Sequence, residues 1–304
     1  MNAVIEHLNF CGQRALDFAW PMLWQSSVLI LVVFALDLLL LRKVRAAVRY
    51  SLWLVVLLKL VLPTSFALPT SLAWWLPRHT EPSSLPKPTA RPVTIVHIEQ
   101  NVVLPSISTV PPLLSPAPLR PSISRSAKML LVSATGSVVL LLLIICQWFR
   151  VSRTIRRALS PWDWLVQLFR AVCEQARICW PVRLRLTEQS VSPSLCGILR
   201  PVILIPGSLA TELSQPQLRA ALLHELIHLR RADVLVSFFQ SLLQIVYWWH
   251  PLVWLANARI RGLREEAVDD AVVLALHEDA EAYPTALLEV AKVTVRHSRS
   301  RGHV

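Results

Sequence analysis

The sequence predicts a polytopic α-helical membrane protein with an α+β domain on the cytoplasmic side. Of its 304 residues, 54% are hydrophobic and only 16% are charged, and the mean hydropathy is +0.49. Average soluble domains have about 45–50% apolar and about 25% charged residues. The apolar residues are concentrated in long segments before residue 150, whereas the composition of residues 150–304 is that of a folded domain.

Three segments are long and apolar enough to cross the hydrocarbon core of a bilayer, which takes about 20 helical residues. They are residues 22–41, 52–68 and 128–149. Residues 1–68 are therefore predicted to form an N-terminal membrane region with two spans, and residues 128–149 to form the third. Acidic residues precede the first span and no basic leader does, so we predict a retained anchor rather than a signal peptide.

Basic residues beside the spans predict the orientation, because short loops rich in Lys and Arg stay in the cytoplasm. We therefore expect a multi-pass protein of the cell (inner) membrane, in contact with the lipid bilayer and with residues 150–304 in the cytoplasm. The basic residues beside the spans explain much of the net charge of +12, and no basic patch or helix-turn-helix motif accompanies this charge. No direct binding of nucleic acid is expected. The two basic groups are Arg42, Lys43, Arg45 and Arg49, and Arg150, Arg153, Arg156 and Arg157.

The segment 69–127 is predicted to be an extracytoplasmic, proline-rich tether. It holds 12 of the 22 prolines of the chain, between Pro69 and Pro121, with Ser and Thr around them. Such a composition favours extended polyproline conformations over a packed core. We interpret it as a spacer rather than as a ligand sensor.

Two charged residues, Asp37 and Lys59, lie inside the predicted spans. Both lie near the cytoplasmic ends of their spans, so a long lysine can reach the aspartate. A charge within a span is a functional hypothesis by default. We interpret this pair as packing between spans rather than as part of a transport or sensing pathway.

Periodicity in residues 150–304 predicts helices and short strands. Helical spacing indicates helices over 162–178 and 254–276, and alternation predicts a half-exposed strand at 182–186. The apolar run 201–206, which is bounded by prolines, predicts an edge strand. A further helix is expected after Ser214, a suitable N-cap.

The helix after Ser214 carries His224, Glu225 and His228 in the pattern H-E-x-x-H. Residues four apart lie on one helix face, so both imidazoles can bind one zinc ion, and Glu225 can act as the catalytic base that takes a proton from water. The pattern predicts Zn²⁺ as the cofactor. The alternative is a helix whose polar face holds two histidines by chance.

A catalytic zinc ion takes three protein ligands, so a third ligand must come from elsewhere in the chain. A downstream acidic cluster contains Glu265, Glu266, Asp269 and Asp270. Within each pair four residues apart, one carboxylate can bind the metal and the other can accept a hydrogen bond from a ligand histidine. Spacing alone leaves open which pair does so.

Residues 234–256 are apolar enough for another span, but a full crossing would put His224 and Glu265 on opposite sides of the membrane. The helix break at His250 and Pro251 instead predicts a membrane-associated apolar hairpin, or a helix buried against the spans. We interpret His250, with its tryptophan neighbours, as an interfacial anchor rather than as an extra metal ligand.

Five segments resemble the BlaR/MecR antirepressor family of membrane zinc metallopeptidases, in the order of that family. The resemblance implies a zincin-like cytoplasmic domain with a gluzincin-type site, in which His224, His228 and Glu265 bind the metal and Glu225 is the catalytic base. It therefore selects Glu265 over Glu266 and leaves Asp269 to hold a ligand histidine. The segments are RYSLWLVVLLKLVLP (49–63), SPSLCGILRPVILIP (192–206), LLHELIHLRRADVL (222–235), WWHPLVWLANARIR (248–261) and REEAVDDAVV (264–273).

The resemblance also implies a protease domain that responds to an outside signal. Unlike the β-lactam sensors of the family, this chain is expected to lack a C-terminal penicillin-binding sensor domain. The sequence thus predicts a membrane-embedded, zinc-dependent endopeptidase whose substrate is a cytoplasmic regulatory protein, such as a transcriptional repressor, or the protease itself.

Two alternative functions remain. One is a housekeeping zinc protease for membrane protein quality control or of the prenyl-protein type, which would have the same site. The other is a non-enzymatic receptor or scaffold with a structural zinc site. Glu225 argues against the second alternative, because a purely structural site needs no base.

Overall fold

The computed structural model describes residues 2–41, 43–62, 122–188, 192–276 and 281–301. Nearly all of the predicted tether at 69–127 lies outside these residues, as do residues 63–68 of the second predicted span. The described elements are α1 (Asn2–Leu40), α2 (Ala46–Val61), α3 (Arg125–Arg157), α4 (Asp163–Gln175), β1 (Arg183–Thr187), β2 (Ser194–Cys196), β3 (Val202–Pro206), α5 (Gly207–Glu212), α6 (Gln215–Arg230), α7 (Asp233–Val246), α8 (Pro251–Leu276) and α9 (Ala282–Arg301).

Two helices in the described ranges, α1 and α3, are long and apolar enough to cross a membrane. They contain nearly all of the first and third predicted spans, 22–41 and 128–149. The helix α2 has 16 residues, which is fewer than the about 20 that a crossing takes. The protein is mostly helical with a small sheet, as the sequence predicts.

The N-terminal part of α1 lies beside the start of α3. The side-chain oxygen of Asn9 accepts a hydrogen bond of 2.8 Å from the Ser124 backbone N–H, and its amide donates to the Ser122 carbonyl at 3.0 Å. A Cβ atom at Gly12 would lie 2.5 Å from the backbone nitrogen of Ala127. Glycine at this position therefore allows the close contact between the two helices.

Asp37 has partners other than the lysine that the sequence suggests. Its carboxylate is fully buried and accepts hydrogen bonds of 2.6 Å from Nε of Arg49 on α2 and of 2.6 Å from Nε of Arg259 on α8. The short turn between α1 and α2 brings Arg49 to the level of Asp37. Lys59 lies ten residues further along α2, or about 15 Å.

The domain after α3 contains a three-stranded sheet, within the described residues, in the order β1-β3-β2. The strand β1 is parallel to β3, and β2 is antiparallel to it. The predictions of a helix at 162–178 and of strands at 182–186 and 201–206 are confirmed. The prediction that 201–206 is an edge strand is wrong, because β3 lies between β1 and β2 and all five of its residues are buried.

The helix α8 connects two hydrophobic cores. Its C-terminal half packs into the core of the domain through Val268 and Val272, together with residues of the sheet, α4 and α6. Its N-terminal half packs with α1, α2 and α7 through Val253, Ile260 and Leu263. Glu265 lies at the boundary between these cores.

The helices α7 and α8 form a hairpin whose tip contacts α1 and α3. Nε1 of Trp248 donates to the Ser133 carbonyl at 3.0 Å, and Oγ of Ser137 donates to the Ile245 carbonyl at 2.8 Å. His250 is 1% exposed, and its Nε2 lies 2.9 Å from Oγ of Ser26 on α1. His250 thus lies inside the helical bundle and not at an exposed interface, which is where its tryptophan neighbours predict it.

Candidate metal centre

The helix α6 presents the H-E-x-x-H residues because its opposite side is anchored in the domain core. Its start is fixed by Gln217, whose side-chain oxygen accepts a 3.0 Å hydrogen bond from the Ser214 backbone N–H. Ser214 is therefore the N-cap, as predicted. Leu222 and Leu226 are buried in the core, whereas the side chains of His224 and His228 are 17% and 14% exposed. The remaining buried positions of α6 are Leu218, Ala220, Leu223 and Ile227.

Three side chains from α6 and α8 converge on one point. Nε2 of His224 and Nε2 of His228 are 3.1 Å apart. Oε2 of Glu265 lies 3.6 Å from the first nitrogen and 3.4 Å from the second. Two imidazole nitrogens and one carboxylate oxygen therefore form a nearly equilateral triangle, which is a group that could hold a metal ion.

The dimensions of this triangle fit zinc. Zinc is bound tetrahedrally by nitrogen and oxygen at about 2.0–2.1 Å, so two of its ligand atoms are about 3.3–3.4 Å apart. The three separations of 3.1, 3.4 and 3.6 Å lie on either side of that value. Three protein ligands would leave a bound zinc ion one position for water or substrate.

Both histidines are held in the tautomer that exposes Nε2. Nδ1 of His224 lies 2.8 Å from the Tyr283 hydroxyl, which donates its own hydrogen to Oδ1 of Asp269. Since that hydrogen is used, the hydroxyl must accept from Nδ1–H of His224. Nδ1 of His228 donates to Oδ2 of Asp233 at 2.8 Å. In the neutral form of each imidazole the lone pair is therefore on Nε2, where a metal would bind.

The predicted role of Asp269 differs from its position in one respect. Its Oδ1 lies 3.4 Å from Nδ1 of His224. The Tyr283 hydroxyl, which is 2.8 Å from that nitrogen and donates to Oδ1, connects the two groups by shorter hydrogen bonds. Sequence reasoning missed both Tyr283 and Asp233. Asp233 has a signal, an acidic residue just after the H-E-x-x-H helix, whereas nothing in the sequence marks Tyr283.

Adjacent residues of α8 face different neighbours. Glu265 faces the histidines, and its Oε1 accepts a 3.2 Å hydrogen bond from Nε of Arg264. Oε1 of Glu266 instead lies 3.4 Å from Nη1 of Arg49 on α2. Hydrogen bonds from His224 and then His228 hold the pKa of Glu265 well below its ordinary value. The structure thus brings Glu265, and not Glu266, to the histidines.

Glu225 lies beside the triangle with its carboxyl group buried. Burial raises the pKa of Glu225, while the two histidines and a hydrogen bond from the Leu195 backbone N–H act in the opposite direction. A carboxyl group with a raised pKa can hold a proton taken from water. Burial alone would lower the pKa of His228, but hydrogen bonds to Asp233 and Glu265 raise it to about 9. A metal ion at this site must therefore compete with a proton.

Two comparisons show which known proteins this chain resembles. Residues 18–302 match the family model described as BlaR1 peptidase M56. The chain is also 36% identical over 112 residues to the regulatory protein BlaR1 of Bacillus licheniformis. That alignment spans 37% of this chain and only 18% of the relative.

Proposed function

The chain belongs to the BlaR1 peptidase M56 family, and on this premise we propose that it is a zinc-dependent membrane endopeptidase. The observation that carries the proposal is the triangle of ligand atoms of His224, His228 and Glu265, with Glu225 beside it. The resemblance expected from the sequence is confirmed by the family match. Zinc, the roles of individual residues and the substrate are our proposals.

His224, His228 and Glu265 would hold the ion, which would supply Lewis acidity toward a peptide carbonyl and a water molecule. Glu225 accepts a proton from the attacking water and later gives it to the departing amine nitrogen. Its burial favours the protonated form between these two steps. The Leu195 N–H holds the Glu225 carboxyl group in place during this exchange.

The strand β2 is the part of the sheet best placed to align a substrate. It pairs with β3 on one side and forms an edge of the sheet in the described part of the chain. Its central residue, Leu195, contacts Glu225. An extended peptide can add to a free strand edge through main-chain hydrogen bonds. We therefore assign substrate alignment to β2 and not to β3, which is central.

We propose that the substrate is a cytoplasmic regulatory protein, such as a transcriptional repressor, or the protease itself. The relative that the chain matches is named as a regulatory protein, and this supports a role in signalling over general quality control. The family resemblance provides the antirepressor hypothesis, in which an outside signal starts cleavage.

We further propose that the hairpin of α7 and α8 enters the bilayer beside α1 and α3 without crossing it. Its tip contacts α3 at Ser133 and Ser137, which lie inside the predicted span 128–149. One side of α7 exposes large apolar side chains at helical spacing, and lipid is their natural environment. These side chains are Leu235, Phe238, Phe239, Leu242 and Val246.

Cysteine labelling should place both ends of the metal-binding region on one side of the membrane. In a variant without the five native cysteines, Gln215→Cys and Leu274→Cys should react with a membrane-impermeant maleimide only from the cytoplasmic side. Ala3→Cys should react only from the outside and is the control for sealed vesicles. Labelling of Gln215→Cys and Leu274→Cys from opposite sides would separate His224 from Glu265 and would refute the site.

Removal of the metal should abolish proteolysis reversibly. The purified full chain in detergent is incubated with an unstructured protein such as β-casein, and fragments of casein and of the chain itself are identified by mass spectrometry. A strong zinc chelator should stop cleavage, and added zinc should restore it, because the Lewis acid is essential. Cleavage that persists without metal would disprove the proposal. Bound zinc without any cleavage would favour a structural site.

A further inference from the structure

The helix α2 contacts α8, which carries Glu265, and the corner that follows the H-E-x-x-H helix α6. Two adjacent residues near its start make these contacts. Arg49 connects to α8, and Tyr50 contacts Asp233, which follows α6 and accepts a hydrogen bond from His228. Both are buried, with 1% and 5% of their surfaces exposed.

Arg49 is connected to α8 through a buried carboxylate. Nε of Arg49 and Nε of Arg259 each donate at 2.6 Å to different oxygens of Asp37. Nη1 of Arg49 also lies 3.4 Å from Oε1 of Glu266. Two arginines and two carboxylates give this cluster no net charge, which is the condition under which buried charges are tolerated.

The cluster fixes the rotation of α8 about its axis. Arg259 and Glu266 are seven residues apart, or about two turns, and lie on the same face of the helix. Arg259 contacts Asp37 of α1, and Glu266 contacts Arg49 of α2. Glu265 is offset from Glu266 by about 100°. A rotation that broke these contacts would therefore move the Glu265 carboxylate away from the histidines.

Tyr50 reaches the other side of the metal centre. Its hydroxyl donates to Oδ1 of Asp233 at 3.2 Å, while Oδ2 of the same carboxylate accepts from Nδ1 of His228 at 2.8 Å. The Arg231 guanidinium lies 5.0 Å from the centre of the Tyr50 ring. The tyrosine thus orients the carboxylate that orients His228.

We propose that Arg49 and Tyr50 are positioning residues through which α2 sets the separation of His228 and Glu265. The inference rests on the proposed function, since it assumes a metal at the triangle. A shift of α2 against α8 would therefore change the positions of His228 and Glu265 together. The first turn of α2 is therefore the place where a movement of the membrane helices reaches the metal centre.

The first test removes single hydroxyl groups from α2. The full chain in detergent is loaded with Co²⁺, whose visible spectrum reports coordination geometry, and zinc affinity is measured by competition with a chelator. Tyr50→Phe should change the Co²⁺ spectrum and weaken zinc binding by about tenfold, the lower end of the effect of losing a group that orients a ligand. Ser51→Ala is the matched control, because that exposed hydroxyl donates within α2, to the Ala47 carbonyl, and it should match the wild type.

The second test addresses the arginine. Arg49→Lys keeps the charge but loses the fork that contacts both Asp37 and Glu266, and Arg49→Gln also removes the charge. Zinc affinity should fall in the order wild type, Arg49→Lys, Arg49→Gln, with about a tenfold or greater loss for Arg49→Gln. Lys59→Gln, which removes a charge elsewhere on α2, should leave affinity and spectrum unchanged. If Arg49→Gln does not fold, the zinc affinities and Co²⁺ spectra of Arg49→Lys and Tyr50→Phe decide whether α2 positions the metal ligands.

The outcomes separate the two proposals. A wild-type chain that binds zinc and cleaves substrate, beside folded Tyr50→Phe and Arg49→Lys variants with unaltered spectra and affinities, would overturn the positioning role alone. A wild-type chain that binds neither Co²⁺ nor Zn²⁺ would overturn the proposed function and the positioning role with it. A lower melting temperature without a spectral change would show a purely structural role and would also contradict the inference.

Discussion

Glu225→Gln should keep its zinc and lose proteolysis, with the rate falling by about 10²- to 10⁴-fold or more. The amide retains the shape of the carboxyl group but cannot accept the proton from water. The ligand atoms of His224, His228 and Glu265 are unchanged by the substitution. Metal binding and catalysis should therefore separate in this variant.

The measurement is zinc content by elemental analysis beside the rate of cleavage of a co-expressed substrate or of the chain itself. Glu174→Gln is a matched control, because it makes the same chemical change at an exposed position of α4 and should retain full activity. Undiminished cleavage by Glu225→Gln would show that this carboxylate is not the base and would remove the main argument for an enzyme.

The sequence predicted the part of the site that lies within one helix. His224, Glu225 and His228 are close in the chain, so helical periodicity alone places them on neighbouring faces. Glu265 is some 40 residues further on, and spacing could not choose between it and Glu266. The choice depends on how α8 is rotated, which is set by packing against α2 and by the cluster around Asp37.

Two errors in the sequence interpretation have local physical causes. The strand β3 was expected at an edge because its proline boundaries are typical of edges, but β2 has only three residues and is too short to show a strand pattern. The sequence suggests Lys59 as the partner of Asp37 because the apolar run of the second predicted span begins at residue 52. The helix α2 begins at Ala46, so Arg49 belongs to it and lies nearer to Asp37.

Tyr283 could not be predicted from the sequence as a group that orients a histidine, and Asp233 is marked only by its position just after the H-E-x-x-H helix. Asp233 is in the first turn of α7 and Tyr283 in the first turn of α9, and their roles depend on hydrogen bonds between separate helices. Burial raises the pKa of Tyr283, as does its hydrogen bond to Asp269, so the phenol stays protonated and continues to donate to Asp269. This relay exists only once α9 packs against α6.

The acidic residues of α8 should separate into three classes of effect. Glu265→Ala should remove the metal and the activity, because it deletes one of three ligands. Asp269→Ala should weaken metal binding by about 10- to 100-fold. In this variant the Tyr283 hydroxyl has no carboxylate to accept its hydrogen, so it is no longer held as the acceptor for Nδ1–H of His224. Glu266→Ala should do little, because its side chain faces Arg49, which keeps its contact with Asp37.

Zinc content and chelator competition on the three purified variants decide the assignment, with Glu265→Gln as a fourth that keeps the side-chain volume. The ordering follows from distance: Oε2 of Glu265 lies 3.4 and 3.6 Å from the two imidazole nitrogens, whereas Asp269 acts one hydrogen bond further away. A metal-free Glu266→Ala variant with zinc retained by Glu265→Ala would mean that α8 is rotated by about 100° from the orientation described here. In that case the ligand set would have to be redrawn around Glu266.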